Sequence, residues 1–246
     1  IESGEPGSDE ARIADLYASF MDEEAVEEAG SDPVLPLLTS IDSVGTLSDL
    51  TRMLGGFARQ AVAGLVALQA EPDPGDPNRY VMFVGQGGLG LPDEEYYRGD
   101  EYAEIRAKYL AHIATSFALA GIAESAAEAQ QVFDLETEIA ATHWDKVKCR
   151  DLRLMYNLMS LDEFTASCPG LQWREFLAGG DIAESTMGEL VAMQPSFFTE
   201  VSALLTEDRL PAWRAWARWK VINSLSPYLS NAFVEENFRF YGTVLM

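Results

Sequence analysis

Between Asp100 and Trp144 apolar residues recur at helical spacing in two consecutive runs, and no other feature limits the possible folds as strongly. Tyr102, Ile105, Tyr109, Ile113, Phe117 and Leu119 form the first run, which ends at Gly121. Val132, Phe133, Leu135, Glu136 and Ile139 form the second. The spacing predicts the two longest helices of the first half, over residues 100–120 and 124–144.

The same period extends outwards. Ser8 precedes an acidic first turn, and Ile13, Leu16, Tyr17, Phe20 and Met21 recur up to a stop at Gly30, which predicts one amphipathic helix over residues 9–29. Shorter helices are expected over residues 32–44 and 46–60, the second capped by Thr46 and loosened by Gly55 and Gly56. Ser160-Leu-Asp-Glu163 has the form of a capping box. Residues 173–177, 195–206 and 210–224 complete the helical set. The period changes at residues 63–69 and 80–84, two short apolar or alternating runs separated by EPDPGDPN, whose prolines and glycine argue against regular structure. They predict a β-hairpin with a long turn. Residues 189–194 (ELVAMQ) read as a further strand. The expected fold class is therefore mainly α, a multi-helix lobe with a small β-hairpin.

Gly85 to Gly90 read GQGGLG, a letter-for-letter match to the G-x-G-x-x-G fingerprint of a dinucleotide-binding turn. Its context does not fit a cofactor. Leu91 precedes Pro92 and is biased toward extended geometry, so no helix leaves the last glycine. The next helix start, PDEEYY, carries carboxylates that would repel a phosphate, and no βαβ unit follows. The glycines read instead as a flexible turn between strand and helix.

Charge excludes another class. The 246 residues carry 17 Lys plus Arg against 40 Asp plus Glu, a formal charge of −23, so the surface field repels nucleic acid and anionic lipid. With 48% hydrophobic residues the chain can bury a sizeable core, yet no stretch has the length and apolarity of a membrane helix. The first residues, IESGEP, lack the basic start and apolar centre of a signal peptide and also an initiating Met, so the chain is expected to begin inside a longer protein.

Cys149 and Cys168 are too few for a disulfide framework and read as two reduced thiols, with a single disulfide as the alternative. His112, in YLAHIATSF, reads as a packed or half-exposed helical residue. His143, Asp145, Cys149 and Asp151 collect metal-ligating types in one stretch, but Lys146 and Lys148 between them place like charges beside any cation. Trp213, Trp216 and Trp219 recur every third residue, with Arg214 and Arg218 between them. A base-stacking platform would show this pattern, but in so acidic a chain it reads as a core stripe whose edges the Arg stems cover. None of these residues supplies a nucleophile, a metal cluster or an anion cradle.

Longer strings are more specific. LYASFMDEEAVEEAG at 16–30, GLGLPDEEYY at 88–97, HWDKVKCRDLRLMYNLMSLDEF at 143–164 and AWRAWARWKVINSLSPYLSNAFVEENFRFYG at 212–242 together resemble the neprilysin family of zinc metallopeptidases, particularly its bacterial members, in matching order and over nearly the whole chain. One small departure is Met155-Tyr156-Asn157, where the bacterial pattern tends toward Thr-Tyr-Asn. The resemblance implies two mainly helical lobes around a cavity that admits short peptides, with zinc in one lobe and access limited by the other. It implies that GGLGLPDEEYY is a strand exit in which the glycines let the chain turn and Asp93 caps the next helix. It also implies that Arg150 and Asp151 fix a loop through charge-assisted hydrogen bonds, without catalytic duty.

The family's chemistry needs H-E-x-x-H on a helix and a later Glu to complete the zinc site. Neither His112 nor His143 starts such a motif. Residues 1–246 are accordingly expected to be an N-terminal portion of such a peptidase, mainly the lobe that caps the cavity, with no catalytic, metal-binding or cofactor-binding residue of its own and inactive alone. Zinc would belong to the parent enzyme, and the partners would be its C-terminal catalytic half and short peptide substrates. A free-standing, non-catalytic helical binding module derived from the family is the alternative. Cysteine usage points to the bacterial cytoplasm, or to export without disulfides. Apolar surface left by truncation is expected near the ends, on the 9–29 helix and among Phe233, Phe238, Phe240, Tyr241 and Leu245.

Overall fold

The computed structural model describes residues 4–246. Its core forms where the two long helical patterns meet the tryptophan stripe. Helices Ala103–Leu119 and Ser125–Thr142 pack on each other and on Leu210–Leu225. The residues that meet there are those at helical spacing: Tyr109, Ile113 and Phe117 from the first, Val132, Leu135 and Ile139 from the second, all buried. Trp213, Trp216 and Trp219 are fully buried, so the stripe is core. Burying a side chain such as Ile113 or Phe117 contributes roughly 1.5–3 kcal/mol each. The Arg side chains beside the stripe are engaged: Arg214 donates to Val44 O at 2.9 Å, and Arg218 pairs with Asp42 and Glu128.

Local signals set the helix starts. Ser8 Oγ accepts from Ala11 N, and both Thr46 with Asp49 and Ser160 with Glu163 form reciprocal capping boxes. The expected 9–29 helix is two helices, Asp9–Met21 and Glu23–Ala29. Asp22 leaves helical geometry, and its carboxylate accepts from Ala25 N, capping the second. Gly55 and Gly56 do not loosen their helix. Helix Leu47–Phe57 crosses helix Trp173–Gly180 with backbones in contact, so that a Cβ on Gly55 would overlap the carbonyl oxygen of Phe176 and one on Gly179 that of Arg52. The glycines permit the crossing.

The sheet has four strands in the order β1-β2-β4-β3: β1 Val66–Asp73, β2 Asp76–Gln86, β3 Leu158–Ser160 and β4 Glu189–Ala192. β1 and β2 form the expected hairpin, but its turn is short. Asp73 pairs with Asp76 across Pro74 and Gly75, so most of EPDPGDPN lies inside strands. The prolines are tolerated because β1 is an edge strand and β4 pairs only with residues 82–84 of β2, leaving Pro72 and Pro77 outside the two-sided part of the sheet. β2 and β4 are parallel, with Phe83 opposite Val191. β3 is antiparallel to β4.

Asp73 locks the hairpin tip to the rest of the molecule. Its carboxylate accepts from the Tyr156 hydroxyl at 2.6 Å, from Gly75 N at 2.7 Å and from Arg79 Nε at 2.8 Å. These bonds, Tyr156 foremost, pull its pKa from 3.8 down to about 2. The folded value lies below the unfolded one, so this contribution to stability is complete above the ordinary aspartate range and is lost as pH falls from 3.8 toward 2. Asp73→Asn is expected to have a lower melting temperature than the parent at pH 6, and the gap should close as the scans move below pH 3; an unchanged gap would show that the carboxylate charge is not what holds the tip.

The C-terminal aromatics divide. Helix Asn231–Asn237 runs into a π-helical segment, Phe238–Val244. Phe233 and Phe240 are buried, Tyr241 and Leu245 are half-buried, and Phe238 is 66% exposed. Of these five expected residues, Phe238 alone is exposed. Apolar exposure is broader on helix Asp9–Met21, which has no buried residue and leaves Leu16 71% and Phe20 68% exposed.

Candidate binding cleft

Gly85 and Gln86 close β2, and Gly87 to Gly90 form a partly buried loop whose main chain is bonded by side chains from elsewhere. His143 Nε2 donates to Gly87 O at 2.9 Å, Trp216 Nε1 to Gly88 O at 3.0 Å, Lys220 Nζ to Leu89 O at 2.9 Å, and the Tyr241 hydroxyl to Gly90 O at 3.2 Å. Gly90 N and Leu91 N both donate to the Tyr97 hydroxyl at 3.1 Å. Buried carbonyls and amides need such partners when no ladder supplies them. The glycines serve packing. Gly88 has φ +98°, and a Cβ on Gly90 would run into the Tyr109 hydroxyl. The expected flexible turn is instead pinned, through the carbonyls of residues 87–90 and the amides of Gly90 and Leu91. At its far end Asp93 Oδ1 accepts from Glu95 N at 3.0 Å, but the N-cap of the short helix Glu95–Arg98 is Glu94, so Asp93 steadies the turn from one residue before the cap position.

Glu136 anchors this arrangement. Its Oε2 accepts from the Tyr97 and Tyr109 hydroxyls, each at 2.7 Å, and from Gly90 N at 3.3 Å. Glu136 is fully buried, and Oε1 has no partner. Burial pushes its pKa up, while the Lys220 charge and the two tyrosines hold it down. Lys220 is also buried. Burial lowers its pKa, and Glu136 opposes that.

Above the loop lies a cleft of about 700 Å³, lined by the base of the hairpin, residues 86–94 and the 143–149 segment. Gln86 joins its two sides: its Nε2 donates to Trp144 O at 2.9 Å and its Oε1 accepts from Trp144 N at 2.8 Å. Lys148 Nζ sits 3.5 Å from the centre of the Trp144 ring. The Cys149 thiol lines the cleft but is not activated, because burial raises its pKa. Cys168 is buried, its pKa pushed up to about 11. Both cysteines are free, so they form no disulfide.

The histidines are committed elsewhere. The ring of His143 is held by Gly87 O, and burial lowers its pKa. His112 is fully buried: its Nδ1 lies 2.7 Å from Glu236 Oε1, and its ring stacks on Phe240 at 4.8 Å. Burial lowers its pKa against the opposing pull of Glu236. Asp145 bonds the amides of Val147 and Lys148, and Asp151 caps helix Leu152–Met155 by accepting from Arg153 N at 3.0 Å. Among the described residues, no group of three or more His, Cys, Asp or Glu side chains could hold a metal ion. The Arg150–Asp151 pair is half as expected: Asp151 fixes the loop, whereas the exposed Arg150 side chain makes no hydrogen bond or ion pair among the described residues. The next residues bind the loop more firmly, through Tyr156 to Asp73 and Asn157 Nδ2 to Ala192 O at 3.0 Å.

Glu136 and Lys220 escaped the sequence reading although each carried a signal. Glu136 falls on the apolar face with Val132, Leu135 and Ile139, and Lys220 directly follows a core tryptophan. A charge at a core-facing position requires a buried partner. The cleft above the loop contains no paired nucleophile and base among its lining residues.

The sequence profile described as Peptidase family M13, that of its N-terminal region, matches residues 1–246. The chain belongs to Peptidase family M13. Endothelin-converting enzyme-like 1 of Mus musculus is 26% identical over 253 residues, covering 94% of this chain and 32% of that protein. Endothelin-converting enzyme 1 of Cavia porcellus is 26% identical over 247 residues, covering 92% and 32%. Among solved structures, zinc metalloprotease Zmp1 of Mycobacterium tuberculosis in complex with inhibitor superposes with a TM-score of 0.93 at 40% identity, over 97% of this chain and 37% of that one. PepO from Lactobacillus rhamnosis, at 18% identity and a TM-score of 0.79, shares the M13 fold. The chain spans about a third of the length of these M13 relatives. The four blocks therefore identify the family correctly, and the mainly helical fold with its small sheet is that of the N-terminal region of M13 zinc metallopeptidases. No helix among the described residues is long and apolar enough to cross a membrane.

Proposed function

We propose that this chain is the access-restricting lobe of a neprilysin-like zinc metalloendopeptidase, which hydrolyses short peptides in an enclosed cavity. Its partner is the zinc-bearing remainder of the same polypeptide. The close superposition on the Mycobacterium tuberculosis zinc metalloprotease carries this reading. The histidines are consistent with it: His112 is bonded to Glu236 and His143 to Gly87 O, and no third ligand joins either among the described residues. The exposed apolar face of helix Asp9–Met21 supports it as well. Leu16 and Phe20 border a groove shared with Tyr228, Leu229 and Val234, a contiguous surface suited to a packing partner.

Expressed alone, the 246 residues are expected to hold no stoichiometric zinc after dialysis and to leave a quenched fluorescent peptide intact, whereas the longer protein is expected to hold zinc and to cleave the peptide. One tightly held zinc per isolated chain, or cleavage by it, would overturn the assignment. A second reading, a non-catalytic helical binding module, would call for Phe238, Phe240 and Leu245 all to be buried within this chain, and only Phe240 is. The coding sequence beyond residue 246 separates the two: an H-E-x-x-H motif supports the peptidase, and a stop codon supports the module.

A further inference from the structure

Lys220 lies on the floor of the 700 Å³ cleft, 2% exposed, and donates a single hydrogen bond, to Leu89 O at 2.9 Å. It makes no ion pair among the described residues. An ammonium has three N–H donors, and leaving two without acceptors in a buried setting is costly. The Trp216 ring, 5.5 Å away, and the Glu136 charge compensate only in part.

Around this cation the cleft is largely apolar, walled by Val62, Ala63, Leu68, Leu89 and the Trp144 side. Its two rim acids are already paired: Glu94 with Arg98 at 2.8 Å, and Asp93 near Lys146 at 3.6 Å. We propose that the cleft is a binding site for a small apolar carboxylate, with the carboxylate on Lys220 Nζ and the apolar body against Leu68, Leu89 and Trp144. Two remaining N–H donors match one carboxylate. A phosphate, doubly charged, would find no second unpaired cation and would face Asp93 and Glu94. A cation would meet the Lys220 charge itself. The inference stands apart from the activity of any longer protein, since every residue it uses lies in this chain.

Calorimetric titration of the 246-residue chain with N-acetyl-leucine, N-acetyl-leucinamide and 4-methylpentanoate tests it. Both acids are expected to bind saturably and in competition. The amide should bind about tenfold or more weakly, the loss expected for a hydrogen bond to a charged group. Tighter binding of N-acetyl-leucine than of 4-methylpentanoate would assign the site to peptide C-termini, and the reverse order to free carboxylic acids; both orders support the proposal. Lys220→Met should abolish the preference for acid over amide. Ala67→Phe, placed at the exposed lining of the cleft and leaving the buried charges intact, should block binding without affecting the fold, and decides the matter if Lys220→Met does not fold. No saturable binding by the parent, equal affinity for acid and amide, or undiminished acid binding by a folded Lys220→Met or by Ala67→Phe would overturn the proposal.

Discussion

Replacing Glu136 by leucine is expected to destabilise the chain by about 3–5 kcal/mol, the scale of leaving a buried charge uncompensated, here together with two buried hydroxyls that lose their acceptor. The substitution strips the acceptor from the Tyr97 and Tyr109 hydroxyls and leaves Lys220 without its opposing charge. It also releases Gly90 N, and with it the loop that floors the cleft. The apolar environment would suit leucine itself, so the loss would come from the groups left unpaired. Glu136→Gln keeps an acceptor for the tyrosines and should fall between. Adding Lys220→Met to Glu136→Leu should recover part of the loss, because it removes the buried charge that Glu136 had opposed. Denaturant melts of the single and double variants measure the coupling. Additive losses would show that the two charges do not compensate each other.

Gly179→Ala is expected to cost roughly 3 kcal/mol or more, at the upper end for overpacking. The added Cβ meets the main-chain carbonyl of Arg52, and no flexible side chain is available to move aside. Gly55→Ala should behave alike, since its Cβ would overlap Phe176 O. Gly56 is the control. It neighbours Gly55 on the same helix, yet a Cβ there would lie 3.6 Å from Gly179 O, an ordinary contact. Gly56→Ala should therefore stabilise by about 0.5–1 kcal/mol, the usual gain from replacing a helical glycine. Thermal melts of the three variants test the crossing, and equal effects at Gly55 and Gly56 would refute it.

Much of the helical layer was legible because its causes are local. The capping boxes at Thr46 and Ser160 are made within three residues, and the stripe of Trp213, Trp216 and Trp219 follows from the helical repeat alone. The four family blocks were readable for a different reason, as strings matched to a family. What was misread depends on neighbours that are remote in the chain. EPDPGDPN looked too irregular for a strand, but an edge position removes the need for the missing N–H donors. The three residues of β3 carry too short a pattern to be recognised without β4 beside them. Gly55 looked like a weak point because the partner that requires it lies in another helix.

The glycine loop shows the division most clearly. From GQGGLG and the Leu91-Pro92 pair, sequence alone determined that the chain turns without opening a helix there. Whether that turn would be flexible or pinned was decided by Trp216, 128 residues from Gly88, by Lys220, 131 residues from Leu89, and by Glu136. Helix hydrogen bonds and caps close within about four residues, so local sequence encodes them. A buried loop has no such internal partners, and its carbonyls and amides can be satisfied only by side chains that packing of distant segments brings to it.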